Sequence, residues 1–344
     1  MSGPLPGIMA PLTVPASWVY GVVIAARNRR YDRPGSVDAV AVPVISVGNL
    51  TAGGVGKTPS VTYLAEKLLQ AGHHPVIAMR GYGPKDAGSG MSDEQAEYAR
   101  RLPEVPVVAD PDRREALNRF LPANPGVGCV LLDDGFQHRR LHRDLDLVLI
   151  DGTKPLSRQR LLPAGFLREP PKNLKRADAV IITHAESADE ALAEEVRHYH
   201  GEPPLAWSRH EWSGLRLLTG GCETGEPVDR SWLDGKRVLT LLGIGKPQSV
   251  MDQLHKLGAE VAVNIPARDH ERFDQAKLVM TRGLCEAVDA MVVTAKDWVK
   301  VQSLIDLSSW PGPIVVPTLT LDVFQGADAL CDLVLQTVAN RPAS

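Results

Sequence analysis

The sequence predicts an α/β fold, a doubly wound and mainly parallel sheet with a second, smaller α/β domain after it. Three observations carry that prediction. Mostly apolar runs rich in Val, Ile and Leu recur at residues 44–47, 74–79, 105–109, 127–134, 145–151 and 179–183. Helical patterns over 61–69, 93–101 and 113–120 separate the earlier runs. The longest runs are apolar throughout and do not alternate, which marks strands buried on both faces. Such strands alternating with helices make a parallel sheet.

The first run, Val44-Ile45-Ser46-Val47, enters a Gly-rich loop that closes with Gly56-Lys57-Thr58 and runs into the helical pattern at Val61. Strand, Gly-rich loop, Lys-Thr and helix in this order form the phosphate-cradling P-loop arrangement, so the sheet is expected to be P-loop NTPase-like. Glycines let backbone N–H groups converge on phosphate oxygens, and the helix N-terminus adds positive potential. Thr51, Ala52, Gly53, Gly54, Val55, Gly56, Lys57 and Thr58 are therefore the expected phosphate-binding residues. Lys57 would neutralise the β/γ-phosphates, and the Thr58 hydroxyl would ligate Mg²⁺. The generic pattern has Gly where this chain has Thr51; Gly53 and Gly54 supply the flexibility inside the loop instead.

The run Val127 to Leu132 ends in Asp133-Asp134-Gly135-Phe136-Gln137. A buried parallel strand delivers its C-terminal end to the ligand crevice. A single Asp there commonly caps the next helix. Two adjacent carboxylates repel one another unless a cation compensates, so beside a P-loop they read as Mg²⁺ ligands.

The chain has 344 residues, enough for two domains, and a net charge of −3 that suggests no nucleic-acid surface. Cys129, Cys222, Cys285 and Cys331 lie far apart, with no C-x-x-C, and read as reduced thiols in a cytosolic protein. The first 26 residues carry no charge, and Arg27, Arg29, Arg30 and Arg33 then arrive together. Basic residues after an apolar segment argue against a secretory signal. Pro11 and Pro15 leave only Ala16 to Ala26 uninterrupted, too short to span a bilayer. Two readings stand at this point: a segment lying on anionic lipid, with Trp18 and Tyr20 at the interface, or a helix packed on the core.

Gly-rich and polar residues from about 215 to 235 suggest a linker, and a second α/β unit begins at Arg237-Val238-Leu239. The expected domains are a membrane-interface segment with its basic cluster at 1–33, a P-loop core at 34–220, a linker at 221–235 and a smaller α/β domain at 236–344. Gly243-Ile244-Gly245 lacks the third Gly of a dinucleotide fingerprint and reads as a tight strand-to-helix turn.

These motifs, taken in order, resemble those of the tetraacyldisaccharide 4′-kinases of lipid A biosynthesis, over nearly the whole chain. Val47 to Pro59 matches that family's P-loop, including Thr51. Arg80-Gly81-Tyr82-Gly83, Asp133 to His138 and Leu162 to Glu169 follow, then Gly243 to Pro247, Asp269-His270 and Thr294 to Asp297. The chain departs from the pattern in a short Pro84–Ser92 segment, and in Gln95, Glu271 and Ala295.

The resemblance implies transfer of the γ-phosphate of ATP, with Mg²⁺, to the 4′-hydroxyl of an acylated glucosamine disaccharide. It implies a peripheral enzyme at the cytoplasmic face of the inner membrane, whose partners are that lipid substrate and the membrane surface, and it favours a membrane-facing N-terminal segment. Asp93 matches the family's general base, and His270 matches the partner that orients it. Apart from the resemblance, Asp93 also fits a helix N-cap and His270 a surface histidine. Arg168 is expected to stabilise transferring charge, Glu94 and Glu169 to join Thr58, Asp133 and Asp134 around the metal, and Gln137 to orient phosphate or nucleotide. His270 lies in the second domain, so catalysis would require domain closure. The alternative is a P-loop GTPase or ATPase acting as a maturation or partitioning switch. Guanine selection usually needs Asn/Thr-Lys-x-Asp, and Thr294-Ala295-Lys296-Asp297 has the wrong spacing. A non-catalytic nucleotide sensor is a third class, against which Lys57, Asp93, Asp133 and Asp134 argue.

Overall fold

The computed structural model of the chain describes residues 10–81, 93–220, 222–244, 247–267, 273 and 275–341. They form two compact units, one of Met1–His210 with Leu321–Ser344 and one of Glu211–Thr320.

The first unit opens with helix α1 (Ala10–Tyr31). Then β1 (Val44–Asn49), α2 (Lys57–Gln70), β2 (Pro75–Met79), α3 (Asp93–Arg101), β3 (Val107–Ala109) and α4 (Arg113–Ala123) follow. Next come β4 (Cys129–Asp133), β5 (Leu145–Asp151), β6 (Ala179–Thr183), α5 (Glu190–His200) and the long strand β7 (Ala206–Thr219), which carries the chain into the second unit. There β8 (Cys222–Val228), β9 (Arg237–Leu242), α6 (Pro247–Lys256), β10 (Glu260–Pro266), α7 (Gln275–Cys285), β11 (Ala290–Val293) and α8 (Ala295–Val301) are laid down. Strand β12 (Ile314–Gln325) returns the chain to the first unit, which closes with α9 (Ala327–Asn340).

Strand order in the first unit is β7-β6-β5-β1-β4-β2-β3, every pair parallel, as the apolar runs predict. All residues of β1, β2, β4, β5 and β6 are buried. The register sets Val47 beside Asp133, so the P-loop and the carboxylate pair leave neighbouring strands at one level. Gly48 permits this closeness: a Cβ there would sit 2.5 Å from the Phe136 backbone nitrogen. In the second unit β9 pairs in parallel with β10 and β11, and β11 with β12, while β8 folds back antiparallel on β7.

Two expected boundaries differ from what is observed. Residues 221–235 are not a bare linker: strand β8 pairs with β7, and a 3₁₀ turn over Arg230–Leu233 follows. The hairpin is half-exposed and polar, so its composition imitates a loop while backbone pairing makes the strand. The C-terminal residues also do not belong wholly to the second unit. The i, i+4, i+8 face of α9, Leu330, Val334 and Val338, joins Val61, Leu64 and Leu68 of α2 in the core of the first unit.

Helix α1 runs past the uninterrupted stretch 16–26 and through Pro15. Ser17 and Ile24 on one face are buried, and Trp18, Val19, Val22 and Val23 on the other are exposed. The inward face is thus packed on the core, and the outward face is apolar and exposed. Among the described residues, no helix is long and apolar enough to cross a membrane.

Candidate active site

The phosphate loop is held in shape from two sides. Asn49, at the end of β1, donates to the carbonyl and hydroxyl of Thr51 at 2.6 and 3.0 Å. Thr51 bridges to Leu167, the Ala52 amide donates to the Phe166 carbonyl at 2.6 Å, and the Arg168 amide to the Leu50 carbonyl at 2.7 Å. Residues 166–168 thus zip along the first half of the loop. On the far side, the Thr183 hydroxyl at the end of β6 donates to the Val55 carbonyl at 2.8 Å. Gly56 takes a left-handed φ of 81° directly before α2, and a Cβ there would lie 3.1 Å from the His210 imidazole. Only Gly suits both demands.

The loop walls a cavity of about 580 Å³, formed within the first unit. Its lining runs from Gly53 to Pro59 and includes Met79 at the end of β2, Arg80 just beyond it, Glu94 and Glu97 of α3, Asp133, Asp134 and Arg168. Lys57, Thr58, Glu94, both aspartates and Arg168, scattered through the sequence, converge here.

The two aspartates differ sharply in environment. Asp134 accepts two hydrogen bonds from Arg168 Nη1, at 2.9 and 2.7 Å, and faces Lys57 Nζ at 3.4 Å. Burial by itself would raise its pKa, but Lys57 and Arg168 hold it below the ordinary carboxylate value. Asp133 is buried, and burial pushes its carboxyl up to about 6, with Lys57 opposing and the Asp134 charge adding to the rise. Tyr98 donates to its Oδ2 at 3.0 Å. Its Oδ1 is buried without a hydrogen-bond partner among the described residues.

A buried carboxylate oxygen left without a donor, beside a second aspartate, a threonine hydroxyl and Glu94, is a donor set that fits a hard divalent cation. Among the described residues, no group of three or more His, Cys, Asp and Glu could hold a metal alone. Mg²⁺ is usually held by one or two carboxylates, substrate phosphates and water.

Four expected site residues lie outside the cavity lining. Glu169 is buried and does not line the cavity. Its carboxylate accepts from Arg176 at 2.8 Å, Asn173 at 2.6 Å and Asn28 of α1 at 2.8 Å, which together hold it ionised against burial. It anchors structure and is not placed to ligate a metal in the cavity. Gln137 also lies outside the lining: its amide donates to the Asn49 carbonyl at 2.8 Å and its carbonyl accepts from Arg168 at 3.3 Å. It braces the loop against Arg168. The Ala52 amide is spent on Phe166, and neither Thr51 nor Ala52 reaches the lining. Asp93 begins α3, but its side chain, like all of His270, lies outside what is described.

The structure adds residues that were not among the expected site residues. Tyr98, wholly buried, orients Asp133; Arg80 and Glu97 line the cavity. In the second unit, Asp297 accepts from the Gly243 amide at 3.0 Å and from Thr294 at 2.8 Å. Two of the resembling motifs therefore bind each other, with Asp297 clasping the turn.

The sequence pattern of the tetraacyldisaccharide-1-P 4′-kinases matches residues 9–339. The chain belongs to this family. A tetraacyldisaccharide 4′-kinase of Anaeromyxobacter dehalogenans is 35% identical over 95% of this chain and 90% of its own length. One of Geobacter sulfurreducens is 34% identical over 86% and 84%. Among solved structures, LpxK from Aquifex aeolicus in complex with ATP superposes with a TM-score of 0.69 at 29% identity, covering 94% of this chain and 98% of that one.

The electrostatics of this kinase-family site predict a trade between stability and metal binding. The folded pKa of Asp133 lies above its unfolded value. The folded protein without metal therefore gains stability from protonation at low pH, and loses it as pH rises from about 4 to about 6. Asp133→Asn should raise the melting temperature at pH 7 by an amount equivalent to about 1–3 kcal/mol, and should do little at pH 4. It should also weaken Mg²⁺-dependent nucleotide binding. Thermal melts at both pH values, with and without Mg²⁺ and nucleotide, decide this; equal melting of the two proteins at pH 7 would show that Asp133 carries no buried-charge cost.

Proposed function

We propose that this protein transfers the γ-phosphate of ATP to the 4′-hydroxyl of a tetraacylated disaccharide 1-phosphate. The observation that carries the reading is the convergence of Lys57, Thr58, Asp133, Asp134 and Arg168 on one cavity beneath the phosphate loop. Phosphoryl transfer needs positioning and charge neutralisation more than covalent chemistry. The amides of Gly53 to Thr58 and the Lys57 ammonium would hold the phosphates. Asp133, with the Thr58 hydroxyl and Glu94, would hold Mg²⁺, and Asp134 keeps Lys57 and Arg168 in place. The ion, when bound, neutralises charge on the transferring phosphate. Arg168 supplies further positive charge at that point.

Asp93 is assigned as general base, matching its place in the family motif, and His270 as the group that orients it. The Asp93 carboxylate takes the proton of the 4′-hydroxyl as that oxygen bonds to the γ-phosphorus. The bond from phosphorus to the departing ADP oxygen breaks in the same displacement. No partner protein is invoked, in contrast to a P-loop switch.

We place the protein peripherally at the cytoplasmic face of the inner membrane, with the outward face of α1 on lipid. Trp18, at 75% exposure, and Val22, at 70%, stand on that face, and Arg27, Arg29, Arg30 and Arg33 follow. The substrate's acyl chains leave lipid at about 0.8 kcal/mol per CH₂, so the enzyme must come to the bilayer.

Labelled ATP, Mg²⁺ and a lipid A precursor lacking the 4′-phosphate form the direct assay. Label should enter the lipid with intact enzyme. Lys57→Ala should lower turnover by orders of magnitude with the fold retained, and Asp93→Ala should lower kcat about 10²–10⁴-fold with ATP affinity nearly kept. No label in the lipid, with release of free phosphate only when a protein partner is added, would favour the switch.

Replacing Trp18 and Val22 together by Glu should reduce co-sedimentation with anionic liposomes severalfold, more clearly at high salt where the arginine contribution is screened. Equal partitioning of both proteins would assign lipid contact to another surface.

A further inference from the structure

We propose that helix α1 is part of the phosphate-transfer site as well as a lipid-facing segment, with Tyr20 and Asn28 acting as positioning residues for Arg168. The proposal rests on the reading of Arg168 given above.

The inward face of α1 holds Ser17, Tyr20, Gly21, Ile24 and Asn28, at helical spacing. Gly21 lets the helix approach closely, since a Cβ there would lie 3.1 Å from Leu161. The Tyr20 hydroxyl donates to the Arg168 carbonyl at 3.0 Å. Asn28 donates to the buried Glu169 carboxylate at 2.8 Å, and Arg27 to the Gln137 carbonyl at 3.1 Å. Burial, with Glu169 adding, pushes the Tyr20 phenol above its ordinary value, so it remains a donor at neutral pH.

These bonds fall on the backbone that aims the Arg168 guanidinium. The Arg168 amide is tied to Leu50 and its carbonyl to Tyr20, and the next side chain, Glu169, is tied to Asn28. From that anchored backbone Arg168 reaches Asp134, and Asp134 meets Lys57. Tyr20, Arg168, Asp134 and Lys57 thus form one short polar path from α1 to the phosphate loop. A misplacement of about 1 Å in such a positioning element can cost up to 10²-fold in rate. A helix docked on lipid by one face and bonded to Arg168 by the other would set the site's geometry while it holds the enzyme at its substrate.

The test is a double-mutant cycle on the full chain, with the acceptor dispersed in detergent so that membrane docking does not limit the rate. Tyr20→Phe removes one hydroxyl and little packing, so it retains the fold; Asn28→Ala is the second variant. Each should lower kcat about tenfold, leave the KM for ATP within about twofold, and leave liposome partitioning unchanged. In an Arg168→Lys background, which keeps a charge but loses the fork, neither should cause further loss. Unchanged kcat in the single variants, or the same proportional loss in both backgrounds, overturns the proposal, because a merely structural contact acts independently of Arg168. Normal turnover by Arg168→Lys and Arg168→Ala alone would instead remove the role assigned to Arg168, and the proposal with it.

Discussion

Two adjacent carboxylates at the end of a buried strand carry more negative charge than an apolar sheet edge tolerates. Much of the polar structure of the first unit answers that charge. Asp134 takes two cations, Lys57 and Arg168, and is held ionised. Asp133 takes a phenol, Tyr98, and is pushed up to about 6. The division is asymmetric, and the asymmetry is useful. One aspartate is fully answered by protein and organises the cationic groups. The other keeps an oxygen that the described residues leave without a donor, the one proposed above to meet Mg²⁺. A cation held there would relieve a cost that burial already imposes.

What brings these groups together is strand register. Val47 stands beside Asp133, so the loop after β1 and the aspartates after β4 emerge side by side. Thr183 at the end of β6 fastens Val55 from the other flank. A parallel sheet delivers its carboxyl ends to one edge, where the chain can assemble residues more than a hundred positions apart. Arg168 comes from a stretch that is neither helix nor long strand. That stretch is ordered by pairing with residues 50–52, and the phosphate loop and its arginine thereby stabilise each other.

Much of this was legible in the sequence, for physical reasons that also explain what was not. Strands β5 and β6 are read residue for residue, because strands buried on both faces need mostly apolar runs. Strand β8 has the composition of a linker, because it is half-exposed and its pairing rests on backbone bonds that composition does not record. Lys57, Thr58, Asp133 and Asp134 stand out because phosphate and metal chemistry demand those types at that spacing. Glu169 misled for a geometric reason. It adjoins Arg168 in sequence, yet in an extended segment neighbouring side chains point to opposite sides. Arg168 faces the cavity and Glu169 faces α1. Tyr98 gave no signal, since a tyrosine on a helix is ordinarily core, and only the fold places its hydroxyl against Asp133.

The attachment of α1 has an energetic character of its own. Few apolar side chains hold it down: Ile24 is buried, and Ser17 and Gly21 are too small to contribute much area. Among the described residues, the other contacts include directional bonds with residues 137, 139, 168 and 169. Each is worth only about 0.5–1.5 kcal/mol net, but each specifies a geometry. The outward face offers a different quantity. Burying a Val or a larger apolar side chain in lipid yields roughly 1.5–3 kcal/mol, and four such residues face outward. Under the proposed lipid contact, the free energy on offer at that face would be comparable with that of the bonds to the core. Those inward bonds fix the position of α1 against residues 137, 139, 168 and 169.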